Sequence, residues 1–175
     1  MVRLSTLGVV AALCLVAVPQ VAKAQSEEDV AETIAKFEEG DPGMQAWFND
    51  AHGYAVFPSV GKAGIGIGGS RGKGLVYEQR VLIGKTTLTE VSIGFQLGGQ
   101  EFSEVIFFKD KTAMDDFTRG NFELGAGVSA VALSAGASAD LGYNGGVAVV
   151  TATKGGLMYE ATVSGQKFDY EATNE

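Results

Sequence analysis

Glycine takes every second position in residues 63–68, and this pattern limits what the chain can fold into. An alternation with a period of two is typical of a β-strand, and a glycine face lets another backbone lie flat against that strand. The chain holds 25 glycines and 3 prolines among 46% hydrophobic residues, which favours a folded β-rich domain over a disordered linker. One face of the segment is apolar and the other carries no side chains, because Ala63, Ile65 and Ile67 alternate with Gly64, Gly66 and Gly68.

The same period recurs along most of residues 54–170 and predicts about seven or eight strands. Residues 102–108 are apolar enough for a strand that is covered on both faces. Short turns between most strands favour one antiparallel sheet, curled or barrel-like. Glycine-rich segments predict turns at Gly61-Lys62, 70–74, 142–146 and 154–156. Strands are predicted at 75–83, 87–98, 147–153 and 157–168, and residues 121–140 are predicted to form one long or bent strand.

Helices are predicted at the N-terminal side and in the middle of the chain. Ser26 precedes an acidic turn and an apolar stripe with helical spacing, which ends at Gly40, and a second short helix stops at Gly53. Asp110 is placed to cap a helix that extends to Arg119. The predicted class is therefore α+β, mainly β.

The first 24 residues have the pattern of a secretory signal peptide. Arg3 precedes an apolar run over residues 7–18, and Ala22-Lys23-Ala24 matches a cleavage signal after Ala24. We therefore expect a periplasmic or secreted protein. A lipid anchor on Cys14 is disfavoured, because the leucine before this cysteine is too large for that processing signal.

Cleavage would leave residues 25–175 as one domain, with helices in 25–53, a β-rich body in 54–170 and a polar tail in 171–175. It would remove the only cysteine, and 11 cations against 21 acids would give a net charge of −10. Bulk charge therefore disfavours nucleic acid, and an anion site must be a local cluster.

None of the motifs in the sequence indicates catalysis or a bound cofactor. Gly64, Gly66 and Gly69 match a dinucleotide-binding pattern, but a polar turn and a strand follow where that fold needs a helix. The chain has a single histidine, His52, and no spacing that indicates a metal site. We expect a protein that is not an enzyme and has no catalytic residue, cofactor or metal ion.

Cations in glycine-rich segments are the remaining candidates for a site. Glycine turns expose backbone N–H groups, and a cation beside them can hold a phosphate or a lipid headgroup. The sequence therefore indicates an anion site at Lys62, Arg71, Lys73 and Lys154, and the alternative is that these cations are solubilising turn residues.

The chain resembles the SYLF domain family, a lipid-binding family that is also labelled as an actin-binding domain after a yeast member, and its exported bacterial members in particular. The resemblance rests on GYAVFPSVGKAGIGIGG, GKGLVYE, VSIGFQLGGQEFSEVIFFKDKTAMDDF, NFELGAGVSAVA and VTATKGGLMYEATVSGQKF.

The resemblance implies binding of acidic or phosphorylated lipids without catalysis. Lys62, Lys73 and Lys154 match the family's basic turn positions, and Arg71 is added because it lies close by. The glycines that would support the site by the same resemblance are Gly64, Gly66, Gly68, Gly155 and Gly156. An anionic phospholipid or membrane surface is the expected partner, and export argues against actin. The alternative is a periplasmic or surface protein with a structural or protein-binding role, such as an antigen.

Overall fold

The computed structural model describes residues 26–94, 100–154 and 163–173. Within these residues, seven strands form one sheet and four helices pack around it. The strands are β1 (Gly53–Glu78), β2 (Val81–Gly94), β3 (Gln100–Phe108), β4 (Phe122–Glu123), β5 (Ala130–Ala132), β6 (Val147–Thr153) and β7 (Lys167–Ala172). The helices are α1 (Glu27–Gly40), α2 (Met44–Asp50), α3 (Lys111–Thr118) and α4 (Ala137–Asp140).

The strand order is β4-β7-β2-β1-β3-β6-β5, and every pairing is antiparallel except the parallel pair β5 and β6. The fold is therefore α+β and mainly β, as the sequence predicts. The prediction of a purely antiparallel sheet is wrong at one edge. There the chain passes through α4 between β5 and β6, and such a crossover allows parallel pairing.

Strand β1 folds back on itself, so it contributes two neighbouring segments. Its first part pairs with β3 and its second part pairs with β2. A Cβ atom on Gly74 would lie 2.6 Å from the carbonyl oxygen of Val56, which places the two parts side by side. At their open end, the backbone N–H of Gln79 donates to the carbonyl of His52 at 2.9 Å. Glycine makes this close approach possible because it carries no Cβ.

The two faces of the sheet carry separate apolar clusters. We call the face that packs against α3 the inner face and the face that packs against α1 and α2 the outer face. Phe57, Ile106 and Phe117 belong to the inner cluster, and Val56, Phe107 and Phe37 belong to the outer one. Neighbouring residues of β1 and β3 thus point to opposite faces, and β3 is buried from Phe102 onward, which confirms the prediction of a strand covered on both faces.

Both predicted helix caps are present. Ser26 and Asp29 form a reciprocal capping box at α1, and the carboxylate of Asp110 accepts a hydrogen bond from the backbone N–H of Ala113 at the start of α3. The strand predicted at residues 147–153 coincides with β6.

Several predicted boundaries are wrong because glycine and other small residues fit strands and turns equally well. Gly61 and Lys62 pair with β3 rather than forming a turn, and residues 70–74 continue β1. The strand predicted at 75–83 is interrupted by a turn at 79–80. Residues 121–140 form β4, β5 and α4 instead of one strand, and β7 includes the first two residues of the predicted tail. Residues 155–156, the first half of the strand predicted at 157–168 and the signal peptide lie outside the described residues. In the second half of that predicted strand, residues 163–166 contain a turn and β7 begins at Lys167.

Candidate functional site

The structure separates the four predicted cations between the two faces of the sheet. Lys62 lies on the inner face, where its ammonium group is 3.7 Å from the carboxylate of Glu90. Glu90 also accepts a hydrogen bond from the hydroxyl of Ser70 at 2.8 Å. The Lys62 side chain is only 13% exposed, so this lysine is largely occupied by a protein partner.

Lys154 lies at the end of β6 and is also paired. Its ammonium group donates to the carboxylate of Glu101 at 2.9 Å, and its backbone N–H donates to the Glu101 carbonyl at 3.0 Å. The hydroxyl of Ser59 donates to the same carboxylate at 2.6 Å. The Ser59 hydrogen bond, followed by that of Lys154, lowers the pKa of Glu101 below its usual range.

Arg71 and Lys73 lie together on the outer face, two positions apart along β1. The strand alternation continues through Leu75, which belongs to the outer cluster, and Lys85 of β2 is the cross-strand partner of Leu75. Arg71 and Lys85 are exposed and Lys73 is half-buried. We call these three cations the basic face: Arg71, Lys73 and Lys85.

A shallow cavity of about 240 Å³ opens on the basic face. It is lined by Lys73 and Lys85, by the hydroxyl-bearing Thr86 and Thr87, and by Glu171, which is the cross-strand partner of Lys85. Within the described part of the chain, none of the three cations of the basic face forms an ion pair. The basic face therefore offers positive charge that an external anion can reach.

The predicted supporting glycines are only partly described. Gly66 and Gly68 lie in β1 and pair with Gly94 and Ser92 of β2, and Gly64 lies in the same strand. They form strand backbone rather than an exposed turn. Gly155 and Gly156 lie outside the described residues.

A polar cluster on the inner face was not predicted from the sequence. Glu104 is fully buried between Phe57 of β1 and Thr151 of β6, its two cross-strand partners. One carboxyl oxygen of Glu104 accepts a hydrogen bond from the side-chain amide of Gln166 at 3.1 Å. Three buried oxygens of this cluster have no hydrogen-bond partner among the described residues: Glu104 Oε1, Thr151 Oγ1 and Gln166 Oε1.

Burial is the main cause that raises the pKa of Glu104 to about 8, and the nearby Glu90 carboxylate adds to the rise, whereas the hydrogen bond from Gln166 opposes it. Glu104 is therefore mostly a neutral acid at neutral pH. A protonated carboxyl group also supplies a donor to a cluster in which only oxygens lack partners.

The described residues contain no group of three or more His, Cys, Asp or Glu side chains that could hold a metal ion. In the same residues, no helix has the length and apolar character needed to cross a membrane.

The fold and the basic face define a small α+β domain with a curled sheet and an accessible cluster of cations. The model of the family described as "Ysc84: Las17-binding protein actin regulator" matches residues 89–173. The chain is 31% identical over 130 residues to Beta cell expansion factor A of Aeromonas veronii, an alignment that covers 73% of this chain and 49% of that protein. It thus spans about half the length of this curated relative. The chain belongs to the SYLF (Ysc84) family, which confirms the resemblance found in the sequence.

Proposed function

We propose that the protein is an exported module that binds anionic or phosphorylated lipid headgroups at the basic face. The observation that carries the proposal is the position of Arg71, Lys73 and Lys85 on one accessible face, without ion-pair partners among the described residues. Lys73 and Lys85 line the cavity on this face, and Arg71 lies two positions from Lys73 along β1. Lysine and arginine side chains so placed can donate several charge-assisted hydrogen bonds to a phosphate. The proposal includes no catalytic step.

The basic face is also suited to a membrane surface. Val91 of β2 is 82% exposed, and it lies two residues beyond Thr89, the cross-strand partner of Arg71. Alternation along β2 therefore places this apolar side chain on the same face as the cations. An exposed valine beside cations can contact the region just below a lipid phosphate.

The basic face replaces part of the site predicted from the sequence. Lys62 and Lys154 already have carboxylate partners at 3.7 Å and 2.9 Å, so a ligand would have to compete with Glu90 and Glu101. Arg71 and Lys73 remain, and Lys85 joins them.

Vesicle co-sedimentation tests the proposal, with protein recovered from an exporting bacterial host. We expect binding to vesicles that contain phosphatidylglycerol, weaker binding at high salt, and little binding to vesicles of neutral lipid alone. A cation near an anionic membrane contributes roughly 1 kcal/mol, so the variant Arg71→Ala/Lys73→Ala/Lys85→Ala should bind about 100-fold more weakly.

The matched control removes three cations from the helical part of the chain: Lys36→Ala, Lys111→Ala and Arg119→Ala. This control has the same net charge as the basic-face variant, so it should bind like the parent if a local cluster is responsible. Equal losses in both triple variants would contradict the proposal, because bulk charge would then explain the binding. A loss caused by Lys62→Ala/Lys154→Ala alone would restore the site predicted from the sequence.

The alternative is a structural or protein-binding role at the cell surface. Exposed sheet edges often pair with a partner strand, but the described edge strands, β4 and β5, are only 2 and 3 residues long. The geometry therefore favours the basic face over the sheet edges as the binding surface.

A further inference from the structure

A second cleft lies where α2 ends and where β1 turns into β2, and we call it the end cleft. It consists of two adjoining cavities of about 250 and 340 Å³ that share Asp50, Ala51 and Lys109. Cavities of this combined size are typical of small-molecule sites. The basic face lines neither of them.

One half of the end cleft is aromatic, and it shares Asp50 and Lys109 with the other half. Trp47 and Tyr143 line it, with ring centroids 5.0 Å apart, and Trp47 is held from behind by Phe107, with a centroid distance of 5.5 Å. The indole N–H of Trp47 donates to the carbonyl of Ser138 at 3.2 Å, which fixes the ring. The Asp50 carboxylate completes this half. Aromatic rings beside a carboxylate attract organic ammonium groups.

The other half adds the positive charge of Arg80, which does not line the aromatic half. Lys109 and Arg80 line it together with His52, whose Nε2 lies 2.9 Å from the carboxylate of Glu78. The guanidinium of Arg80 donates to the side-chain oxygen of Asn49 at 3.2 Å, which leaves its other N–H groups available to an anion. A guanidinium and an ammonium at one cavity can hold a phosphate.

The backbone at this turn is strained. Gln79 and Arg80 have φ values of 48° and 68°, in the left-handed region that favours glycine and asparagine. A two-residue hairpin turn of this kind normally carries Asn-Gly, and each ordinary residue costs about 1 kcal/mol. The chain therefore keeps an arginine beside the cleft at a cost in stability, which is typical of a residue that serves binding.

The two halves together fit a ligand with both charges. A simple anion would meet Asp50, and a simple organic cation would meet Arg80 and Lys109. We propose that the end cleft binds a zwitterionic phospho-ammonium group, such as phosphocholine, with the phosphate at Arg80 and Lys109 and the ammonium at Trp47, Tyr143 and Asp50. Such a group occurs in lipid headgroups and as a free phospho-amine. This site is separate from the basic face.

Intrinsic fluorescence gives a direct assay, because Trp47 is the only tryptophan in the chain. Phosphocholine should change the emission of the purified protein in a saturable way, and choline or inorganic phosphate alone should bind at least about tenfold more weakly, since each lacks one charged contact. Saturation-transfer NMR on the ligand methyl groups provides a second readout that does not depend on the tryptophan signal. No saturable binding by either method would overturn the proposal, and so would equal affinity for the two half-ligands.

Arg80→Asn is the most informative variant, because asparagine tolerates the left-handed backbone but carries no charge. It should weaken phosphocholine binding by about tenfold while the midpoint of thermal unfolding stays equal or rises. A purely structural role for Arg80 would move stability and binding in the same direction. Lys109→Gln should also weaken binding, whereas Lys111→Gln, just outside the cleft, should not. Parent-like binding by Arg80→Asn would overturn the proposal.

Two further arms separate this site from the proposed function and identify the ligand source. The basic-face variant should keep phosphocholine binding after losing its affinity for phosphatidylglycerol vesicles, so the two proposals fail independently. If the basic-face variant loses both, the phosphocholine site is not in the end cleft. Competition by phosphatidylcholine vesicles indicates a lipid headgroup as the source, and binding without such competition indicates a free phospho-amine.

Discussion

Replacing Glu104 by glutamine should stabilise the protein at neutral pH. Glu104 is fully buried beside Thr151 and Gln166. Among the described residues, Glu90 is the charged side chain that shifts the pKa of Glu104, and it raises it, while Lys62 is paired with Glu90. Folding therefore makes Glu104 take up a proton when the pH lies between the carboxyl's ordinary pKa of 4.5 and about 8. Glutamine has the same shape, cannot ionise, and can donate to the cluster oxygens that lack partners.

The sign and size of the effect follow from the shift in pKa. The folded-state pKa is raised from 4.5 to about 8, so the native state binds more protons than the unfolded state between these two values. The stability contributed by this group is complete below pH 4.5, falls as the pH rises toward 8, and is constant above that. Each unit corresponds to about 1.4 kcal/mol, so the parent loses about 3 kcal/mol from this source by pH 7.

Urea unfolding of the parent and of Glu104→Gln at pH 5, 7 and 8 measures this effect. The variant should be more stable than the parent by about 3 kcal/mol at pH 7, and the difference should fall to about 1 kcal/mol at pH 5. Glu101→Gln is the control on the same strand, because that carboxylate is exposed and its pKa is lowered by Ser59 and Lys154. It should lose less than about 1 kcal/mol at pH 7. A stability difference between Glu104→Gln and the parent that is the same at all three pH values would refute the reasoning.

Two further predictions concern the β1 fold-back and export. Gly74→Ala should destabilise the protein by roughly 1–3 kcal/mol in urea unfolding, because the new Cβ would lie 2.6 Å from the Val56 carbonyl oxygen. Gly61→Ala is the control and should change stability little, because a Cβ at that position meets nothing within 4 Å. Equal effects of the two substitutions would contradict the side-by-side arrangement. Protein from an exporting host should have the intact mass of a chain that begins at Gln25, and a mass that includes residues 1–24 would rule out cleavage after Ala24.

The sequence predicts those elements whose periodicity is strong and whose ends are marked. The helix after Asp110 and the apolar strand at 102–108 are of this kind, because a capping side chain or a continuous apolar run leaves few alternatives. Residues 61–74 and 121–140 are not, because glycine, alanine and serine occur in strands, turns and short helices alike. Their conformation depends on tertiary neighbours, such as the approach of Gly74 to Val56.

The candidate site was predicted in part for a related reason. Four cations in glycine-rich segments suggested one site, but strand alternation places Lys62 on the inner face and Arg71 on the outer face. Lys85 was missed because its position beside Leu75 depends on the turn at Gln79 and Arg80, which carries neither glycine nor asparagine. The buried carboxyl of Glu104 did leave a signal, since it interrupts a run of residues predicted to be covered on both faces.

Lysine footprinting on vesicles tests most directly whether the basic face contacts the lipid. The protein is treated with an amine-reactive reagent, with and without phosphatidylglycerol vesicles, and modification is read by mass spectrometry. Lys73 and Lys85 should be protected by the vesicles, while Lys36 and Lys111, which are exposed on the helices, should react equally in both samples. Protection of Lys154 with unchanged reactivity at Lys73 and Lys85 would contradict the proposed basic face.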